Sequence, residues 1–379
     1  MRLFHLADYH GSYAGSFIPM LRAALLAARD RGWQVEVGFT PVARGRGWLT
    51  ELEAEGVPVR IAPGESIRDL ARWVTLLLAE DPGPTVVHTH FTAFDVPAAL
   101  AALRRRDDVV VWHLHSRAQP EIRARVTNMV KYGLFGRAVD RILCVAPDLA
   151  AAARQRLAPG RKVDFFPNAI DTARFPLVSP ERRAAARRQL DVPPSGEIVL
   201  HLGWDWERKA GDLFLRAVAS LTPDRDRLVP VTVGAGPEAR TLGAQLELER
   251  LRILEPTDRV QDLYAAADVL ASPSRAEGMP FSVAEALCMG VGVVASDIPG
   301  HRAICEKVTA CRLTSLDPAE LATGIRATLD RSPGETEREG REARQSIVAR
   351  MDLEVWAAKV IDVYDEALSN NDGSRSEAR

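Results

Sequence analysis

The stretch VLASPSRAEGMPFSVAEALCMG, Val269–Gly290, reads as a strand, a loop carrying one acid, and a helix carrying another. VLASPS is a short apolar run. From Ser282 to Met289 apolar residues recur at helical spacing. Between them stand Glu277, Gly278, Met279, Pro280 and Phe281, with Glu285 inside the helix. The same rhythm recurs along the chain. MRLFHLA, WQVEVGF, TVVHTHF, VVVWHLH and RILCVA read as strands, spaced by helical patterns such as SFIPMLRAALLAARDRG; EIVLHLG, RLVPVTVG, VLASPS and GVVASD repeat the theme. Apolar strands alternating with helices imply an α/β class built on parallel sheets with helices on both faces.

At 379 residues, the chain exceeds what one core of about 100–150 residues fills, so two domains are expected. The prolines at 180, 193 and 194 flank ERRAAARRQL and suggest a linker at 179–195. That divides the chain into a first domain at 1–178, a second at 196–352, a C-terminal helix at 353–368 and a disordered tail at 369–379. Hydrophobic residues at 46%, charged residues at 26% and a net charge of −2 describe a globular chain, not a general binder of nucleic acid or anionic membranes. No segment is apolar enough to span a bilayer and the N-terminus lacks a leader pattern, so a cytoplasmic location is expected. Cys144, Cys288, Cys305 and Cys311 follow no CxxC spacing and are expected to be free thiols. Only five of the 49 basic residues are lysines, the usage of a GC-rich bacterial genome.

Ligands of open parallel sheets bind beyond the carboxyl ends of strands. Glu277 stands there, just before a helix whose first amides favour an anion, most naturally phosphate. Carboxylates repel phosphate but accept hydrogen bonds from sugar hydroxyls, so two acids flanking such a helix start point to a sugar nucleotide. The competing reading is structural: Ser282 and Glu285 fit S-x-x-E, a capping box, with Glu277 an ordinary loop acid. HLGWDWERKAGDLFL places Lys209 after a strand and before a helix, where it could neutralise a diphosphate or simply be solvated. VTVGAGPEAR adds a glycine-rich turn.

These pieces, in the order HLG…ERKAGD, VGAGP, LYAAADVLASPSRAEG, EGMPFSVAE and GVGVVASDIPG, resemble the donor-binding half of family 4 retaining glycosyltransferases. That resemblance implies a GT-B fold of two facing Rossmann-like domains, the first binding acceptor and the second binding donor, with a C-terminal helix that can cross back to the first. It implies that Glu277 meets the donor sugar and acts in catalysis. Glu285 would hold the ribose, Lys209 the diphosphate, and Gly278 to Ser282 the sugar and phosphate. In the first half, His115 of VWHLHS resembles a strand-end histidine near the sugar. Gly11 and Gly15 resemble a loop facing the diphosphate, and Asn168 of FFPNAID a retained asparagine. One departure stands out: the family has Gly-Arg where this chain has Gly203-Trp204, which leaves the arginine's role to Arg208 or to a first-domain arginine. The resemblance implies no cofactor and no metal, a nucleoside diphosphate sugar (UDP- or GDP-linked) as co-substrate, and a small-molecule or glycan acceptor.

Other readings stay open. An epimerase or a non-catalytic sugar-nucleotide binder would keep many of the same residues. The G-x-G-x-x-A of VGAGPEA suggests a nicotinamide oxidoreductase, but it lies deep in the second module without a suitable acid about twenty residues on. His88 with His90 and His113 with His115 could each converge on an ion, as in a metal hydrolase, yet no acidic cluster completes the site. Arg44, Arg46, Trp48 and Arg117 are candidates to meet a polar or anionic acceptor. The mixed basic and apolar stretch at 121–138 either lies on a membrane surface or buries an apolar face.

Overall fold

The computed structural model describes residues 1–105, 107–115, 131–156, 162–234 and 236–376. The chain forms two compact units, one of Met1–Ala169 with Leu353–Arg379, the other of Ile170–Asp352.

The first unit is built on a seven-stranded sheet, β1 (Arg2–Ala7), β2 (Gln34–Phe39), β3 (Val59–Ile61), β4 (Thr85–His90), β5 (Val109–Leu114), β6 (Arg141–Cys144) and β7 (Lys162–Phe165), in the order 3-2-1-4-5-6-7. Each neighbouring pair is parallel. Every residue of β1, β4 and β5 is buried, as helices on both faces require, and the histidines His5, His88, His90 and His113 are buried with the apolar residues. One of those helices is the last in the chain, Leu353–Ser376, which packs on the helix Phe17–Asp30 and on β5. It runs eight residues beyond the expected end at 368, and Asn371 near its close donates to the Asp108 carbonyl at 3.4 Å.

The second unit holds a six-stranded parallel sheet, β8 (Glu197–Leu202), β9 (Leu228–Val233), β10 (Arg252–Leu254), β11 (Val269–Ser272), β12 (Gly292–Ser296) and β13 (Cys311–Thr314), in the order 10-9-8-11-12-13. In both sheets the order reverses beside the first strand, between β1 and β4 and between β8 and β11. Such switch points open a crevice at the carboxyl ends.

Four strands escape the sequence reading: β3, β7, β10 and β13. Each has three or four residues and lies at or next to a sheet edge, so none needs the long apolar run that marks a central strand. The stretch expected as a linker also differs, since residues 179–195 lie inside the second unit. Ser179 caps the helix Pro180–Gln189 through the Arg182 amide. Arg187, 7% exposed, donates to Asp268 and to the carbonyls of Ala266, Pro194 and Gly196. Asp268 also takes Arg183 and the Ile198 amide, which ties the helix to the first strand of its own sheet. Prolines at the margins start and stop this helix without freeing it.

Cysteine pairing is a further correction. Cys305 and Cys311 form a disulfide across six positions, their Cα atoms 5.6 Å apart, while Cys144 and Cys288 are free and buried. The helix Pro299–Cys305 turns back through Lys307, at φ +62°, into β13, and this return brings the two thiols together. Spacing alone could not reveal it, because the turn between them carries no cysteine motif.

Candidate active site

In the second unit the short helix Trp206–Lys209 follows β8, and its N-cap Asp205 accepts from the Arg208 amide. Ala210, in the left-handed region at φ 52°, breaks the chain from the next helix, Gly211–Leu221. That break leaves Lys209 at a helix end with its side chain 8% exposed, and its carbonyl meets His201 Nε2 at 3.1 Å. Glu277 comes from the loop after β11, the neighbouring strand. Its Oε2 accepts from Arg208 at 2.8 Å, and Lys209 Nζ lies 2.7 Å from Oε1 as an ion pair outside good hydrogen-bond alignment. Burial alone would raise the Glu277 carboxyl; Lys209 and then Arg208 outweigh it and hold the group below the ordinary glutamate range, so it is ionised. The sequence reading gave Glu277 to the donor sugar, and Lys209, with Arg208 as a candidate substitute arginine, to the diphosphate. The fold makes them one cluster, two cations on one buried carboxylate.

Glu285 sits in the helix Phe281–Cys288, 6% exposed, and accepts from the Tyr264 hydroxyl at 2.8 Å. Burial and then the Glu285 charge push the Tyr264 phenol well above its usual value, so it remains a donor. The capping-box alternative does not hold. The N-cap is Pro280, no side chain caps this helix, and Ser282 lies inside the first turn, half-buried beside half-buried Phe281. Gly278 and Met279 are buried. A Cβ on Gly300 would meet the Gly278 carbonyl at 2.3 Å and the Glu277 carbonyl at 2.8 Å, so the helix Pro299–Cys305 backs directly onto the acidic loop.

His301, one residue on, is a member that the sequence reading missed. It is fully buried, bonded to Ser272 Oγ and to the Ser296 carbonyl, and burial lowers it to about 4. Its signal was position alone: a polar residue just after IPG, beyond β12. Gly203 donates its amide to Val233. Trp204, where the family has arginine, is 63% exposed, with the Arg208 guanidinium 4.7 Å and the Lys209 ammonium 5.8 Å from its ring centroid. Gly234, at φ +76°, is a glycine because a Cβ there would stand 3.0 Å from Trp204 Cα and Cβ. The first glycine of GAG thus seats the Trp204 loop, a structural reason for the fingerprint that suggested a nicotinamide site.

The remaining predicted residues gather in the first unit. His115 follows β5, is half-buried, and hydrogen-bonds His90 at 3.1 Å, with the Asn168 side chain acting to raise its pKa against the lowering by burial. Gly11 lies under Tyr9, whose ring a Cβ there would meet at 2.4 Å, and Gly15 takes φ +56°. Arg44 is exposed, donating to the Ala62 carbonyl at 3.4 Å, and Arg46 donates to Ser12 Oγ at 3.2 Å in the Gly11 loop. Trp48 is not an acceptor-facing residue. It is 2% exposed, its indole donates to the Gly11 carbonyl, and Tyr9 and Phe39 pack on it, so it shapes the glycine loop from within. Arg117 lies outside the described residues, as do positions 121–130 of the stretch weighed for membrane contact. Lys131, from the remainder of that stretch, is buried as an ion pair with Asp95 and stands 5.0 Å from the Trp112 ring centroid, not on a membrane face. Among the described residues no helix is long and apolar enough to cross a membrane.

Two family models match the chain, "Glycosyltransferase Family 4" over residues 20–174 and "Glycosyl transferases group 1" over residues 196–331. Similar curated proteins include a D-inositol 3-phosphate glycosyltransferase 2 of Catenulispora acidiphila, 30% identical over 56% of this chain and 52% of its own length. Another is a D-inositol 3-phosphate glycosyltransferase of Geodermatophilus obscurus, 34% identical over 56% of this chain and 50% of its own length. The chain spans about half the length of these two relatives. Among solved structures, HepE of Anabaena in complex with UDP and glucose superposes with a TM-score of 0.82 at 21% identity, covering 96% of this chain and 99% of that one. WaaG, a glycosyltransferase involved in lipopolysaccharide biosynthesis, reaches a TM-score of 0.70 at 19% identity, covering 96% of this chain and 99% of that one. The two parallel sheets are those of the GT-B fold, and with one family model matched in each half, the chain belongs to glycosyltransferase family 4.

Proposed function

We propose that the protein is a retaining hexosyltransferase that moves a sugar from a UDP- or GDP-linked donor to a small-molecule or glycan acceptor in the cytoplasm. The observation that carries this reading is the cluster of buried Lys209, the Glu277 carboxylate and half-buried Arg208 at the β8/β11 switch point. Lys209 and Arg208 share Glu277, and Arg208 is balanced by Asp205 as well. A diphosphate brings at least two negative charges, so Lys209 and Arg208 turn towards it and Glu277 is released to accept from the sugar hydroxyls. Arg208 thereby does the work of the arginine that Trp204 replaces, steadied by the exposed indole and by Asp205, which its Nε meets at 2.8 Å. As the glycosidic bond breaks, charge grows on the leaving phosphate, and cations already fixed beside it stabilise that charge without reorganising. Glu285, with Tyr264 behind it, takes the ribose hydroxyls, and the uncapped helix start at Phe281 and Ser282 faces phosphate. In the first unit His115, with Asn168, Gly11 and Gly15, is assigned to the substrates, and Arg44 and Arg46 to a polar or anionic acceptor. The solved neighbours that hold UDP, and the relatives named for inositol phosphate, favour UDP as the nucleotide and a phosphorylated polyol as the first acceptor to try.

Calorimetry with UDP, GDP, ADP and dTDP, each with and without EDTA, tests this directly. Selective binding of one, unchanged by EDTA, is the expected result. Failure of all four overturns the reading; binding without turnover of any UDP- or GDP-sugar moves the protein to the non-catalytic binder.

A further inference from the structure

Five histidines crowd one face of the first unit's sheet: His5 on β1, His88 and His90 on β4, His113 on β5 and His115 just beyond it. The register puts His5 opposite His88 and His90 opposite His113. Four of them, all but His113, are joined in line through Tyr364. Tyr364 Oη, from the last helix, lies 2.6 Å from His88 Nδ1 and 3.1 Å from His5 Nε2; His5 Nδ1 lies 2.8 Å from His90 Nε2; His90 Nδ1 lies 3.1 Å from His115 Nε2. Tyr364, His5, His88 and His90 are fully buried.

Each neutral imidazole carries one N–H and one bare nitrogen. The line therefore has two proton registers. In one, Tyr364 donates to His88, and His5, His90 and His115 each donate through Nε2 towards the tyrosine, which leaves His115 Nδ1 bare. In the other, His88 donates through Nδ1 to the Tyr364 oxygen, Tyr364 donates to His5, and His5 and His90 donate through Nδ1 onward, so His115 accepts at Nε2 and carries its own proton on Nδ1. His88 Nε2 is buried without a partner. The first register would make it an orphaned N–H, the second a bare acceptor, which is the better tolerated of the two. We propose that Tyr364, His5 and His90 act as one positioning chain that fixes the ring of His115 and holds it as the Nδ1–H tautomer. A metal reading of the same histidines is the rival. Ligand nitrogens of His5, His88 and His90, and of His90, His113 and His115, lie within 4.8 Å of one another. However, both nitrogens of His5 and of His90 are already spent on ring and phenol partners, so an ion that used either ring would have to displace at least one of these contacts, and of the second group only His113 has both nitrogens without a partner.

The significance of His115 for transfer rests on the proposed function; the chain itself does not. The test is nitrogen-15 NMR of histidine-labelled full-length protein, with the His115 signal assigned by its loss in His115→Gln. Wild type should show His115 as Nδ1–H. Tyr364→Phe, which keeps the ring and removes the hydroxyl, should turn His5, His90 and His115 together towards mixed tautomers, and His5→Asn, which cuts the same link from the other side, should do so if the first variant folds poorly. An Nε2–H signal for wild-type His115, no change in either variant, or stoichiometric binding of zinc chloride overturns the proposal. Given a working transfer assay, Tyr364→Phe should lower kcat by roughly ten- to 100-fold with little change in KM. A concerted tautomer change in a protein that transfers no sugar would sink the proposed function and leave the chain standing.

Discussion

Glu277 is the residue on which most of the chemistry turns, and its environment sets what removing its charge does. Glu277→Gln keeps the size of the side chain but takes the carboxylate from Lys209 and leaves Arg208 with that of Asp205. Transfer should fall at least about 100-fold, while UDP binding stays within a few-fold or tightens, because the cations are freed for phosphate. Calorimetry beside an initial-rate assay separates the two, and wild-type turnover would remove Glu277 from the site. For Glu285, Tyr264→Phe is the sharper probe. It deprives a buried carboxylate of one donor, a loss of roughly 1–3 kcal/mol by urea denaturation, and should weaken nucleotide binding. Unchanged affinity would reduce Glu285 to a structural acid. The sequence showed Glu277 and Lys209 beyond the ends of strands, because the apolar runs before them are easy to see. It could not show that they touch, since β8 and β11 become neighbours only through the strand order. His5 and Tyr364 were invisible as partners of the HTH and HLH pairs for the same reason, lying 85 and more residues from His90 along the chain.

Among the elements, the helix Pro299–Cys305 is a backstop for the acidic loop. Gly300→Ala would push a methyl into the Gly278 and Glu277 carbonyls, and backbone atoms yield less readily than a side chain. Expected are a loss of about 1–3 kcal/mol in thermal melts and a fall in kcat/KM of roughly ten-fold or more. An equal melting temperature and rate would mean that the loop is free to shift. The helix Pro180–Gln189 allows a cleaner comparison. Arg187→Ala strips three carbonyls and Asp268 of a buried partner and should cost roughly 1.5–3 kcal/mol, whereas exposed Arg188→Ala should stay within about 0.5 kcal/mol. If urea midpoints show the two alike, the helix is the loose connector that its prolines suggested. Composition misled there: arginine-rich, proline-bounded segments look solvated, and only the carbonyls presented by a neighbouring turn show where a guanidinium is buried. Central strands were legible from their apolar runs, while β3, β7, β10 and β13 were not, since a short strand near an edge pairs through backbone that any sequence supplies.

At the scale of the whole molecule, the buried histidines set the response to acid. Burial lowers His5 and His113 to about 3 and drives His88, His90 and His115 well below their ordinary value. Such groups stay neutral when folded but take up a proton near pH 6.5 when unfolded. Stability is therefore fully present above about pH 6.5 and drains as pH falls towards 3, by about 1.4 kcal/mol per pH unit for each group. His201 and His301, at about 4, give the second unit two such groups against five in the first. Acid should open the first unit before the second, visible by hydrogen exchange at pH 5 as earlier loss of protection in β1, β4 and β5; simultaneous loss would show the units unfold as one. The membership of Leu353–Ser376 in the first unit has another consequence. A ribosome makes that helix after Ile170–Asp352, so the segment that supplies Tyr364 and Trp356 to the first unit does not exist while Met1–Ala169 emerges. The contiguous stretch Ile170–Asp352 has all its parts before then. Order of synthesis and order of completion are thus reversed: the half that is born first is finished last, and a nascent chain halted before Leu353 carries a complete second unit behind a first sheet still lacking its closing helix.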